Sequence, residues 1–169
     1  MMAMILLPLL ALTVAAGLTR LLTAGKPPSR LDAVAMTVAA AAPAALLWQW
    51  PAGNAPFVGL ACAALWFLWR MAAPRTVGRG AALYRFLFTG AAAWITVSLA
   101  GTQVLGPGGQ LGGILLHMFA AVALLFAAAA WLLATFAVPA GAGGKPSPAT
   151  GVHEALTAAA LALCFFSLV

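Results

Sequence analysis

From Leu111 to Val138 the sequence runs without a single Asp, Glu, Lys or Arg. In water such a run has no polar face to present, whereas in a bilayer about 20 mostly apolar residues make one span. Gly, Pro and charge punctuation divides the 169 residues into about six stretches of this kind: Ala3 to Leu22, Leu31 to Trp50, Ala55 to Ala73, Ala81 to Val104, Leu111 to Val138 and Val152 to Val169. The breaks between them, "AGKPPSR", "PAGNAP", "APRTVGRG", "LGPGGQ" and "PAGAGGKPSPATG", are turn and linker chemistry. The stretch from Leu105 to Gly113, "LGPGGQLGG", reads as a flexible turn. The expected fold class is all-α: a polytopic transmembrane helix bundle of about six spans, forming a single integral membrane domain over residues 1–169. The third and last stretches are short, so five spans with one interfacial helix is the alternative. A membrane barrel is set aside because its strands would alternate polar and apolar residues, and these runs do not.

Only 6% of the residues are charged, and mean hydropathy is +1.09. The net charge of +6 could point to nucleic acid, but there is no basic stripe on a soluble face, so nucleic acid is not an expected partner. Arg20, Lys26 and Arg30 flank the first loop, Arg70, Arg75, Arg79 and Arg85 the third, and Lys145 lies in the fifth; the second and fourth carry none. By the positive-inside rule these Arg/Lys loops are cytoplasmic and both termini lie outside. The opening "MMAMILLPLLALTVAAGLTR" has its first cation, Arg20, after the apolar core, the polarity of a retained helix rather than of a cleaved leader. Trp48 and Trp50 at one end of the second span, and Trp66, Trp69 and Tyr84 near the cytoplasmic ends, are expected to form interfacial belts. Cys62 and Cys164 lie inside apolar runs as small hydrophobes, and no disulfide is expected.

Alanine and glycine crowd the spans, as in "VAAAAPAALL", "GAAAW" and "FAAAAWLL". Small residues let helix backbones approach closely in lipid, although a compositional taste for alanine gives the same pattern. Pro43 removes one donor from the second helix and leaves a carbonyl that neighbours must cover.

Polar groups inside spans are the default functional candidates. The only two acids, Asp32 and Glu154, are placed in the first turns of the second and sixth helices, where the helix dipole favours a carboxylate. Ser29 and Asp32 fit a Ser-x-x-Asp capping box, and nearby Arg30 or Arg85 can pair with the acids. Glu154 then reads as a helix-start carboxylate beside a solvated His153. His117 and His153 fall at opposite ends of a span and cannot share one metal. The donors near each are soft: Met118 and Met4 for His117, Met36 and Met71 for His153, a set suited to copper(I) rather than zinc. The bland alternative for His117 is a buried imidazole bonded to a backbone carbonyl. No His-Glu-x-x-His helix, Cys-x-x-Cys pair, Gly-x-Ser-x-Gly elbow or phosphate-binding Gly loop is present.

The stretches "RLDAVAMTVAAAAPAALLWQWP", "LYRFLFTGAAAW" and "VHEALTAAALALCFF" together resemble a multi-pass membrane family of actinobacteria described only as a domain of unknown function. In that family alternate spans open with a His followed by Met at helical spacing, and the second span ends in a Trp cluster. The matching positions are His153, Met36, and Trp48 with Trp50 and Pro51. The chain departs from the pattern at Leu156, Thr157, Ala160 and Leu161, where methionines would follow the His, and at Tyr84 and Arg85, where no His is near. The resemblance implies a soft-metal role, with His153 and Met36 as one candidate ligand pair and His117 with Met118 as a separate one. Each pair offers too few donors for tight binding, so no cofactor is expected, copper being the metal the donors would suit. The expected function is that of a non-enzymatic accessory or scaffold subunit of the cell membrane. Its partners are the lipid bilayer and other membrane proteins or further copies of itself. The alternatives are copper-type handling, or a small-solute permease with a polar cavity flanked by His117, Thr96 and Ser98.

Overall fold

The computed structural model describes residues 11, 14–15, 17–22, 27–49, 51, 53–73, 79–100, 107–137 and 148–167, and among them there is no strand. The fold is an all-α bundle. The first helix, α1, is described chiefly over 17–22; then follow α2 (Pro27–Leu47), α3 (Ala55–Ala72), α4 (Arg79–Ala100), α5 (Pro107–Ala137) and α6 (Pro148–Ser167). Among the described residues four helices are long and apolar enough to cross a membrane, over Arg30–Leu47, Ala55–Ala72, Arg79–Ala100 and Leu111–Ala137. In α6 the apolar stretch is shorter, Thr150–Phe165, and most of the expected span Ala3 to Leu22 lies outside the described residues.

Helix starts are set by proline. Pro27, Pro107 and Pro148 each occupy the first helical position, where a missing N–H costs nothing and the fixed φ favours helix. As a result α5 begins four residues before the expected Leu111, and Gly108, Gly109, Gly112 and Gly113 are helical rather than a flexible turn. A helix satisfies its own backbone in lipid, which outweighs the poor helix propensity of those glycines. At its far end α2 stops at Leu47, earlier than the expected Trp50, because Gln49 turns left-handed at φ 52° and donates its N–H to the Leu46 carbonyl at 2.9 Å. Trp48 lies in that turn and is exposed.

Helices α2, α3 and α4 pack on one another along their lengths, α5 packs on α6, and among α2–α6 it is chiefly α4 that joins these two groups. Phe67, Phe88, Ala92, Ile95, Ala121, Ala158 and Phe165 are completely buried in the shared apolar core. Among the described residues small residues mark three close crossings, one of them Gly59 of α3, where a Cβ would lie 2.7 Å from Val38 Cγ1 of α2. A Cβ on Gly151 of α6 would lie 2.6 Å from Thr135 Oγ1 of α5, and one on Gly17 would collide with the Thr37 hydroxyl, so α1 rests on α2. Outward, α3 presents Val58, Leu65 and Trp69, and α5 presents Phe119, Phe126, Leu133 and Phe136. Such a surface suits hydrocarbon and would aggregate in water.

Candidate functional site: a buried ionic network

Because successive helices alternate in direction, the start of α2, the end of α3, the start of α4, the end of α5 and the start of α6 meet at one end of the bundle. There Asp32 of α2, Trp66 and Arg70 of α3, Tyr84 and Arg85 of α4, Trp131 of α5 and His153 and Glu154 of α6 form one connected network, joined by Arg20 of α1. Arg85 is its centre. Its Nη1 donates to Asp32 Oδ2 at 2.6 Å, while Nη2 and Nε both donate to Glu154 Oε1 at 2.8 and 3.0 Å. Arg70 also pairs with Asp32 Oδ2, and the Trp66 indole N–H donates to Oδ1 at 3.0 Å. On Glu154 the second oxygen, Oε2, accepts the Trp131 indole N–H at 2.7 Å, and Arg20 Nη1 stands 3.5 Å from Oε1. The Tyr84 hydroxyl donates to the backbone carbonyl of Glu154 at 3.2 Å, and its ring stacks on Trp131 with centroids 5.2 Å apart. Every oxygen of both carboxylates has a donor in place, and among the described residues no buried side-chain nitrogen or oxygen lacks a partner. That completeness is what makes buried charge tolerable, since an unpaired carboxylate in this position would cost several kcal/mol.

The two acids are not at helix mouths. With α2 starting at Pro27 and α6 at Pro148, both lie in the second turn, and neither helix has an acidic residue in its first. Ser29 is already the third residue of the helix, not the N-cap position that a Ser29–Asp32 capping box requires. Glu154 is completely buried and His153 beside it is half-buried, in place of the expected helix-start carboxylate next to a solvated imidazole. Of the two arginines expected to pair with the acids, Arg85 binds both. Tyr84 is buried and committed to α6, and Trp66 to Asp32, so neither is an interfacial anchor; Trp69 is 61% exposed and fits that role. Two acids facing eight cations signalled that each acid would be contested, and Trp66 with Arg70, four residues apart, share one face of α3.

The candidate metal ligands lie in less suitable surroundings. His153 Nδ1 accepts from Arg20 Nη1 at 3.4 Å, a guanidinium that would repel a metal cation. Met36 is buried in the core of α2. At the opposite end of the bundle His117 donates from Nδ1 to the Gly113 carbonyl at 2.6 Å, the carbonyl bond expected for a buried imidazole. Its Nε2 lies 3.3 Å from both the Trp94 indole nitrogen and Ser98 Oγ. Met118 follows His117 directly, about 100° round the helix, and is exposed. Met4 lies outside the described residues. Among the described residues no group of three or more His, Cys, Asp or Glu side chains could hold a metal ion. Thr96 does not join Ser98 and His117, because its hydroxyl donates to the Ala92 carbonyl of its own helix at 2.7 Å. Neither cysteine forms a disulfide; Cys62 is exposed and Cys164 buried.

Compared with protein families, curated proteins and solved structures, the chain matches none of them. The resemblance to the actinobacterial family therefore rests on the quoted residues.

Proposed function

We propose that this chain is a non-enzymatic, multi-pass protein of the cell membrane that acts as an accessory or scaffold subunit. Its Arg/Lys loops lie in the cytoplasm and its termini outside. The observation that carries this reading is the closed ionic network. Both carboxylates of the chain are bound by donors from other helices, so no acid is left to relay a proton or hold a coupling cation. Buried Thr89, Thr96 and Thr157 likewise donate to carbonyls one turn back in their own helices, not to a shared cavity. A network drawing on six helices holds their relative positions, which suits a rigid subunit better than a carrier that must repack. The outward apolar faces of α3 and α5 meet lipid or neighbouring membrane proteins.

Copper handling is the weaker reading, because His153 faces a guanidinium and Met118 diverges from His117. Mild detergent extraction followed by native mass measurement tests the accessory role. The chain should emerge at fixed stoichiometry with another membrane protein or with copies of itself. Recovery as a lone monomer in every mild detergent would overturn it.

A further inference from the structure

Arg79 opens α4 as an exposed residue, and among the described residues it makes no ion pair. Both acids of the chain are already engaged, Asp32 by Arg70 and Arg85, Glu154 by Arg85 and Arg20. Three guanidinium groups around two carboxylates leave the network itself with one positive charge in excess. Arg30 and Arg79 raise the surplus at this end to three among the described residues, and the charged residues outside them, Lys26, Arg75 and Lys145, are cations as well. No Asp or Glu of this sequence is left over, so the balancing anions come from outside the chain.

The surface below Arg79 says what kind of anion fits. Leu83, Leu87, Gly90, Trp94 and Val97 follow it at steps of three and four residues, so they share one face of α4, and all of them are exposed. From Leu83 to Gly90 this stripe is wholly apolar, and a Cβ on Gly90 would meet nothing within 4 Å, which leaves it open there. Arg79 and Gly90 are about 16 Å apart along the axis at 1.5 Å per residue. That is half of an about 30 Å hydrocarbon core. The stripe therefore has the length of one leaflet, with a cation at headgroup level and a glycine near the midplane. Trp69, exposed in the last turn of the adjoining α3, marks the same headgroup depth.

We propose that this face binds one anionic phospholipid, its phosphate on Arg79 and one acyl chain laid along Leu83, Leu87 and Gly90. The excess charge of the network adds to the attraction, since Arg85 lies only about 9 Å further along α4. The proposal rests on the chain's lying in a membrane, not on its accessory role or on which end faces the cytoplasm. A second copy suits this face poorly. Two copies inserted the same way and packed through it would set Arg79 against Arg79, and each carries the same surplus of cations.

The full chain in a mild detergent is offered equal amounts of dioleoylphosphatidylglycerol and dioleoylphosphatidylcholine, which share acyl chains and differ in headgroup charge, and bound lipid is read from the native mass. The parent should retain phosphatidylglycerol about fivefold over phosphatidylcholine, the ratio given by about 1 kcal/mol from one interfacial cation. Arg79→Gln should lose that preference and Arg79→Lys should keep it. Gly90→Phe, which fills the open stretch of the stripe, should lose the retained lipid itself. Glycerol 3-phosphate offered in place of lipid should not be retained. Equal retention of the two lipids by the parent, an undiminished preference in Arg79→Gln, or full retention in Gly90→Phe would each overturn the proposal. So would glycerol 3-phosphate held as firmly as the lipid, or a dimer or mixed complex free of phosphatidylglycerol, which would give the face to protein. A lone monomer carrying phosphatidylglycerol would uphold the lipid site while overturning the accessory role.

Discussion

Arg85 occupies a position that no other side chain could fill. A planar guanidinium places Nη1 towards one carboxylate and Nε with Nη2 towards another, whereas an ammonium is a single point charge on a flexible stem. Removing it leaves two carboxylates facing each other in an apolar interior, with Arg70 and Arg20 as their nearest remaining cations. Arg85→Met should therefore cost about 3–5 kcal/mol, the range for breaking one partner out of a buried pair. Trp131→Phe removes one hydrogen bond to a charged group and should cost about 1.5–3 kcal/mol. Unfolding of the detergent-solubilised variants by a denaturing detergent gives the ranking. Arg85→Met as stable as the parent would mean that the network does not hold the bundle.

At the scale of the helices, what matters is how near two backbones come. Where α6 crosses α5, a Cβ on Gly151 would sit 2.6 Å from Thr135 Oγ1, 2.8 Å from Cγ2 and 3.0 Å from Cβ. The hydroxyl is engaged with the Leu132 carbonyl at 2.7 Å, and the Thr135 Cβ cannot move without its helix. Gly151→Ala should destabilise by about 1–3 kcal/mol as an overpacked contact. Adding Thr135→Ala, which clears Oγ1 and Cγ2, should recover most of that loss. Gly90 is the counter-example: it is exposed on α4 and a Cβ there meets nothing, so Gly90→Ala should be neutral or stabilise by up to about 1 kcal/mol. The three unfolding midpoints, compared side by side, separate close packing from a mere abundance of small residues. Equal effects of the two Gly→Ala changes would show that the Gly151 crossing has no special tightness.

For the whole molecule the alternation of helix direction does two things at once. It sorts the cation-bearing loops to one end, and it carries Asp32, Arg70, Arg85, Trp131 and Glu154 to that same end, one or two turns inside the bundle. In the proposed orientation this is the cytoplasmic end, so an alkaline phosphatase fused after Val169 should be active and one placed within residues 74–78 inactive. Activity in the 74–78 fusion, with silence after Val169, would reverse the orientation and leave the network where it is.

The all-α class and the positions of the apolar segments were legible from the residues alone, because apolar length and loop charge are one-dimensional properties of a chain. The sorting of charge to alternate loops was legible for the same reason. Helix ends were less so: Pro27, Pro107 and Pro148 each open a helix several residues before its apolar run begins, and this moved Asp32 and Glu154 from the mouths of their helices into the second turn. What only the tertiary structure decided is which groups meet. Among the described residues, five cations and two acids towards one end allow many pairings, and the choice depends on the rotation of each helix about its axis and on its lateral neighbours. That rotation turns Trp66 and Arg70 onto Asp32, sets Arg85 between both acids, and aims His117 Nε2 at Trp94. In apolar helices this rotation is barely encoded, since nearly every face is hydrophobic and the polar residues that would mark the inner side are few.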